Sequence, residues 1–141
     1  MKIIRFWPPF LGAGVSVEDS SADLRFIKVR MKLSWHNTNY VGTHFGGSLF
    51  SMTDPWYMLM LIENLGRDYV VWDKHGEIRF RKPGKGVVTA EFRIDEALLE
   101  SLRVEVAEHG KAERTLPVNV LNAQGEVVAE VKKTVWVSAK K

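Results

Sequence analysis

From Leu49 to Leu65 the chain reads LFSMTDPWYMLMLIENL, a segment apolar on nearly every side when drawn as a helix. A helix without a polar face is buried all round, so the rest of the chain must be able to surround it. Gly46 and Gly47 stand before the segment, and Gly66 follows it as a C′ residue. A membrane span is excluded by the interruptions at Asp54, Pro55, Glu63 and Asn64, which leave far fewer than the ~20 clean apolar residues a bilayer requires. The expectation is a soluble protein with no membrane partner.

The flanking sequence supplies the wrapping. In RFIKVRMKLSW the residues Ile27, Val29, Met31, Leu33 and Trp35 alternate with Lys28, Arg30, Lys32 and Ser34, the pattern of a half-buried strand. After the helix, Ile78 and Phe80 alternate with Glu77, Arg79 and Arg81, and Val88, Ala90, Phe92 and Ile94 alternate with Thr89, Glu91 and Arg93. The Pro83-Gly84-Lys85-Gly86 turn between them predicts an antiparallel hairpin. DEALLESLRVEVAEHG predicts a short helix capped by Asp95, and two last strands follow, joined at Ala123-Gln124-Gly125. Five strands around one long helix require a curled antiparallel sheet, an α+β architecture whose outer face is charged and can meet water. No repeat or linker divides the 141 residues, which predicts a single domain over 1–141.

Composition narrows the chemistry. A net charge of +3 is compatible with an anionic small ligand. The absence of cysteine removes disulfides, thiolate metal sites and a cysteine nucleophile together, and is compatible with a cytoplasmic protein. The four histidines lack metal-like spacing, so no metal and no cofactor is expected. The apolar N-terminus is broken by Arg5 and by Pro8-Pro9, and reads as part of the fold rather than as a signal peptide. The five tryptophans, Met52, Met58 and Met60 are expected in the core or lining an acyl pocket.

At GGSLFSMTD the chain resembles the hotdog-fold acyl-CoA thioesterases of the phenylacetic-acid-pathway type. These open a long central helix with a glycine pair, followed by an acid one to two turns later. FRKPG, Phe80 to Gly84, resembles their Phe-x-x-Pro-Gly turn, and NYVGTHFGG, TDP and VWDK are similar to an uncharacterised branch, the YiiD C-terminal type of thioesterase. The similarity extends over roughly residues 5 to 138.

The resemblance implies hydrolysis of an acyl-CoA or acyl-carrier-protein thioester. It makes Asp54 the base or nucleophile and the Gly47 N–H the donor to the carbonyl oxygen, beside Gly46, with Asn39 orienting water or carbonyl. Backbone donors at a helix N-terminus suit a developing oxyanion. The more familiar motif is His-Gly-Gly, whereas here Phe45 stands between His44 and the glycines, displacing the histidine by one residue. Arg79, Arg81, Lys82 and Lys85 read either as a solvated strand face and turn or as a landing surface for CoA phosphates. The resemblance also implies a homo-oligomer, a dimer or dimer of dimers. Three alternatives stand beside the enzyme: Asp54 as a helix cap in a non-catalytic acyl- or CoA-binding module, a hydratase or dehydratase, and a nucleic-acid binder. The dehydratase pattern needs an acid where this chain has Met58, and no nucleic-acid motif is present.

Overall fold

The computed structural model describes residues 6–141. Residues 1–5 of the N-terminal stretch read as part of the fold lie outside the described residues; from Phe6 onward that stretch is in the structure. Helix α1 (Pro8–Ala13) is followed by strands β1 (Val15–Ser20) and β2 (Phe26–Lys32) and by helices α2 (Gly46–Ser51) and α3 (Trp56–Leu65). Strands β3 (Tyr69–Phe80) and β4 (Val87–Arg93), helix α4 (Glu96–His109), and strands β5 (Lys111–Leu121) and β6 (Val127–Ala139) complete the chain. The strands form one sheet in the order β1-β2-β4-β5-β6-β3, antiparallel at every joint. It curls around the central helical segment, the hotdog architecture. No helix among the described residues is long and apolar enough to cross a membrane.

The expected elements are present with four corrections. The sheet has six strands rather than five, because VSVEDS forms β1 and pairs with β2 from Val15↔Met31 to Ser20↔Ile27. The hairpin expected across Pro83–Gly86 does not form. β3 runs along β6 at the edge of the sheet, while β4 lies between β2 and β5. The intervening segment is a crossover whose carbonyls serve other loops: Gly84 O accepts from His44 N at 2.8 Å and Gly86 O from Leu33 N at 2.8 Å. β2 stops at Lys32, and the Ser34 N–H is bound by Asn37 Oδ1 at 2.8 Å instead of a strand partner. Trp35 therefore leaves the sheet and is exposed. Of the five tryptophans only Trp56 is buried, whereas Trp7, Trp35 and Trp72 are exposed. Met52 and Met60 are fully buried as expected, and Met58 is half-buried.

The central segment is two helices rather than one. Pro55 has no N–H to continue the ladder, and the backbone tightens at the corner, with Thr53 N bonding Phe50 O and Asp54 N bonding Ser51 O. Trp56 is wholly buried there. Its indole N–H donates to Met52 O at 2.7 Å and its ring stacks on Phe10 at 5.4 Å. The inner rows of the sheet close over this segment, with Ile27, Val29 and Met31 from β2, Val88, Ala90 and Phe92 from β4, and Val131, Val135 and Val137 from β6 all buried. Asp95 caps α4 as expected, accepting from Leu98 N at 2.8 Å. The joints of the sheet differ in length. β5 and β6 pair from Lys111↔Ser138 to Leu121↔Val127, but β4 and β5 share only Thr89↔Leu121 and Ala90↔Val120.

Candidate functional site

The inward row of β6 runs Ala129, Val131, Lys133, Val135, Val137, and all five positions are buried. A lysine in such a row must find anionic partners, because an ammonium in apolar surroundings is costly unless paired. Lys133, 3% exposed, donates to Asp54 Oδ1 at 2.7 Å, and its Nζ lies 3.6 Å from Asp73 Oδ2. Its stem passes Gly76, where a Cβ would stand 3.4 Å from Cδ and Nζ of the lysine and 2.9 Å from Cζ of Phe50. The Phe50 ring centroid lies 5.6 Å from the ammonium, within cation–π range.

The two carboxylates reach this lysine from different elements. Asp54 sits at the corner between α2 and α3, with its side chain 55% exposed. Pro55, not Asp54, occupies the N-cap position of α3, and no side chain caps that helix. Asp54 Oδ1 is held by Lys133, and Oδ2 has no partner among the described residues. Asp73 comes from β3 next to a β-bulge: it lies opposite Val135 while His75 lies opposite Thr134, so Lys74 is the extra residue. Such a bulge re-aims the neighbouring side chains. Asp73 Oδ1 is buried without a hydrogen-bond partner. Burial pushes its pKa up, the Lys133 ammonium pulls it back, and the charge of Asp54 pushes it up again.

The glycine pair lies at the other end of α2. Phe45 is the N-cap residue, and its carbonyl accepts from Ser48 N at 3.0 Å and from Leu49 N at 3.1 Å. The N–H groups of Gly46 and Gly47 thus precede the first rungs of the helix. A Cβ on Gly46 would stand 2.9 Å from Cζ of Phe80, and one on Gly47 would stand 2.6 Å from Cε1 of Phe45. Two half-exposed rings therefore lean over the pair, and a methyl group at either glycine would have to push a ring aside.

His44 anchors this end. Its backbone N–H bonds Gly84 O, and its Nε2 lies 2.8 Å from Gly86 O, which can only accept, so Nε2 carries the proton. Nδ1 is buried without a partner. Burial pushes the pKa of His44 down, opposed by the Gly86 carbonyl, and the ring is neutral at physiological pH. Asn39 is occupied within the loop: Oδ1 accepts from Val41 N and Thr43 N, and Nδ2 donates to Thr43 Oγ1 and His44 O. A cleft of about 420 Å³ opens beside these residues, walled by Asn39, His44, Gly46, Leu49 and Phe80. Arg81 and Lys82 form its basic side, paired with Glu130 at 2.8 Å and with Glu126 respectively. Arg79 lies outside the cleft, in a separate depression with Glu77, Glu130 and Lys132, and Lys85 is exposed on the crossover.

A family model described as a domain of unknown function, DUF4442, matches residues 1–137. The chain belongs to this family. Among curated proteins, none matches it. A crystal structure from Pseudomonas aeruginosa, of a protein of unknown function described as a probable thioesterase, is 26% identical. It superimposes with a TM-score of 0.83 over 93% of this chain and 87% of that one. A Chlorobaculum tepidum protein of unknown function gives a TM-score of 0.78 at 16% identity, covering 99% of this chain and 91% of that one. A thioesterase from Haemophilus influenzae gives 0.67 at 12% identity, covering 92% and 81%. The last two likenesses carry the fold alone.

In the DUF4442 chain the expected site residues other than Arg79 and Lys85 fall into two groups. Asn39, His44, Gly46, Arg81 and Lys82 line one cleft, with Phe45 and Gly47 adjoining it in the chain. Asp54 stands apart, seven residues beyond Gly47 and past the end of α2 at Ser51. Lys133 and Asp73 did not emerge from the sequence. The parity of VVAEVKKTVWV carried the signal for Lys133, which shares its phase with Val131 and Val135. Among the described residues no group of three His, Asp or Glu is placed to hold a metal ion.

Proposed function

We propose that this protein hydrolyses acyl thioesters of coenzyme A or of an acyl-carrier protein. The observation that carries this reading is Asp54: a carboxylate at the corner of the central helix, held at Oδ1 by a buried lysine while its side chain stays 55% exposed. Oδ2 accepts a proton from water as the water oxygen attacks the carbonyl carbon. The tetrahedral intermediate then collapses, the C–S bond breaks, and the thiolate takes the proton back from Asp54. The Gly47 N–H, at the start of α2, stabilises the oxyanion. The likeness to a Pseudomonas aeruginosa protein described as a probable thioesterase supports the same reading.

The length of α2 separates Asp54 from Gly47 within one chain, and in this reading each reaction centre takes Asp54 from one copy and Gly47 from another. β3, at the free edge of the sheet with Trp72 and Phe80 exposed, supports a dimer joined there. The cleft beside Gly46, with Arg81 and Lys82 on its side, suits the phosphates of the thiol carrier.

The test is a thiol-release assay over a panel of acyl-CoAs of different chain length, with wild type and Asp54→Asn compared. Turnover that depends on Asp54 supports the reading. Equal rates in both proteins overturn the assignment of Asp54, and CoA binding without any turnover points to the acyl-binding module instead. A monomer by light scattering at micromolar concentration removes the shared site.

A further inference from the structure

Lys133 is expensive where it stands. Every other position in the inward row of β6 from Ala129 to Val137 is alanine or valine, and a methionine of similar length would fill the same space without a charge to desolvate. A buried ion pair is commonly no more stabilising than a well-packed apolar replacement. Stability therefore explains the lysine poorly, and the direction of its side chain suggests another account. The stem lies in the core against Gly76 and Phe50, and the ammonium emerges at the one point where the central helix is broken. There it meets a carboxylate that is otherwise exposed.

We propose that Lys133 is the positioning residue for Asp54: with Asp73 behind it, the ammonium holds Oδ1 and leaves Oδ2 as the oxygen that receives the proton from water. The catalytic half of this inference rests on the hydrolytic reading above, whereas the coupling of the three side chains does not. An exposed aspartate at a corner would otherwise sample several rotamers, and a misplacement of about 1 Å can cost up to ~100-fold in rate. Phe50 and Gly76 confine the lysine laterally, so its ammonium has little freedom to follow a moving carboxylate. Asp73, the third member, has its own partners defined: Lys133 faces it from β6 and Asp54 from the helix corner. Lys74, His75 and Lys132, its charged neighbours along the two strands, are on exposed positions.

The chain contains no cysteine, which permits a clean experiment. Lys133→Met keeps the length of the side chain and removes the charge. Lys133→Cys, alkylated under denaturing conditions with 2-bromoethylamine and refolded, restores an ammonium at that position alone. With an acyl-CoA that wild type hydrolyses, Lys133→Met is expected to lower kcat by about 10- to 100-fold with KM changed little, and aminoethylation of Lys133→Cys to restore most of the loss. An unchanged kcat in a folded Lys133→Met protein, or no recovery on aminoethylation of a correctly refolded one, overturns the positioning role.

A second measurement does not require turnover. Carboxyl carbon NMR of Asp73 should show its midpoint falling in Asp54→Asn, which removes a nearby negative charge, and rising in Lys133→Met, which removes the ammonium. If wild type hydrolyses no thioester, the hydrolytic reading falls. Asp73 moving in both variants then still supports a coupled trio, and Asp73 unmoved in both overturns it.

Discussion

The two ends of α2 are built from opposite materials. At its start, Gly46 and Gly47 lie beneath the rings of Phe80 and Phe45, beside a neutral, buried histidine whose proton is fixed by a backbone carbonyl. At its end, three residues on from Ser51, Asp54 meets a lysine and a second aspartate. The first end offers backbone N–H groups and close approach, and it works through the absence of side chains. The second offers a carboxylate held by charge, and it works through side chains drawn from two distant strands. A reaction that must both polarise a carbonyl and move a proton needs both kinds of end, and here they stand at opposite ends of one short helix.

The variants that break this contrast most strongly act at the charged end. Asp54→Asn is expected to lower kcat for thioester hydrolysis by about 10²- to 10⁴-fold, the usual range for loss of a general base, with the fold retained by circular dichroism. Removing the residue that shapes the corner should cost stability instead. Trp56→Ala loses a wholly buried ring, its stacking on Phe10 and the hydrogen bond to Met52 O, and about 3–5 kcal/mol of unfolding free energy should disappear in a urea titration. At the neutral end the expected losses are smaller. Gly47→Ala puts a methyl group against the Phe45 ring and should cost about 1–3 kcal/mol. Adding Phe45→Ala should recover that loss, and a double-mutant cycle reads the coupling directly.

Acid sharpens the comparison further, because the two ends respond with opposite sign. His44 has a folded-state pKa below its ordinary value of 6.5, so the unfolded chain takes up a proton first. Its contribution is present above pH 6.5 and is lost as pH falls, with a slope of at most about 1.4 kcal/mol per pH unit for one proton. Asp73 has a folded-state pKa above its ordinary 3.8, so its contribution is complete below that value and is lost as pH rises through the folded-state pKa. Stability curves of His44→Gln and Asp73→Asn against wild type should differ in these two windows respectively. A His44→Gln curve parallel to wild type between pH 4 and 7 would falsify the buried, neutral assignment.

What could be read from the chain beforehand follows the same division. The glycine pair, Asp54, the alternation of β2 from Ile27 to Met31 and the Asp95 cap are local patterns, and local chemistry determines them. The partner of a strand is not local. Pro83-Gly84 has turn chemistry, but nothing in those residues tells whether the turn joins neighbours or carries the chain across the sheet, and here it carries the chain across. β1 is not legible in the sequence because VSVEDS presents two valines before its acids, too short a run to display alternation, and gains its definition from pairing with β2. Lys133 was hidden for a related reason. Two adjacent lysines in a strand read as solvent-facing, and only the phase of β6 against its valines separates exposed Lys132 from buried Lys133. That the buried one meets Asp54, 79 positions away in the chain, depends on the curl of the whole sheet.

The short joint between β4 and β5 has a consequence for how the molecule can loosen. With only Thr89↔Leu121 and Ala90↔Val120 bridging them, β1-β2-β4 and β5-β6-β3 are two leaves on a narrow spine, each far better laced internally than to the other. Slow amide exchange should therefore sort the strands into two cooperative blocks, with the spine opening before either leaf frays. Lys133 and Asp73 belong to one leaf. The helical segment that carries Asp54 is clasped between both leaves, with Trp56 and Tyr57 against Phe92 of β4 and the Tyr57 hydroxyl donating to Pro117 O of β5. Breathing of the spine therefore loosens the helix on the side away from its lysine.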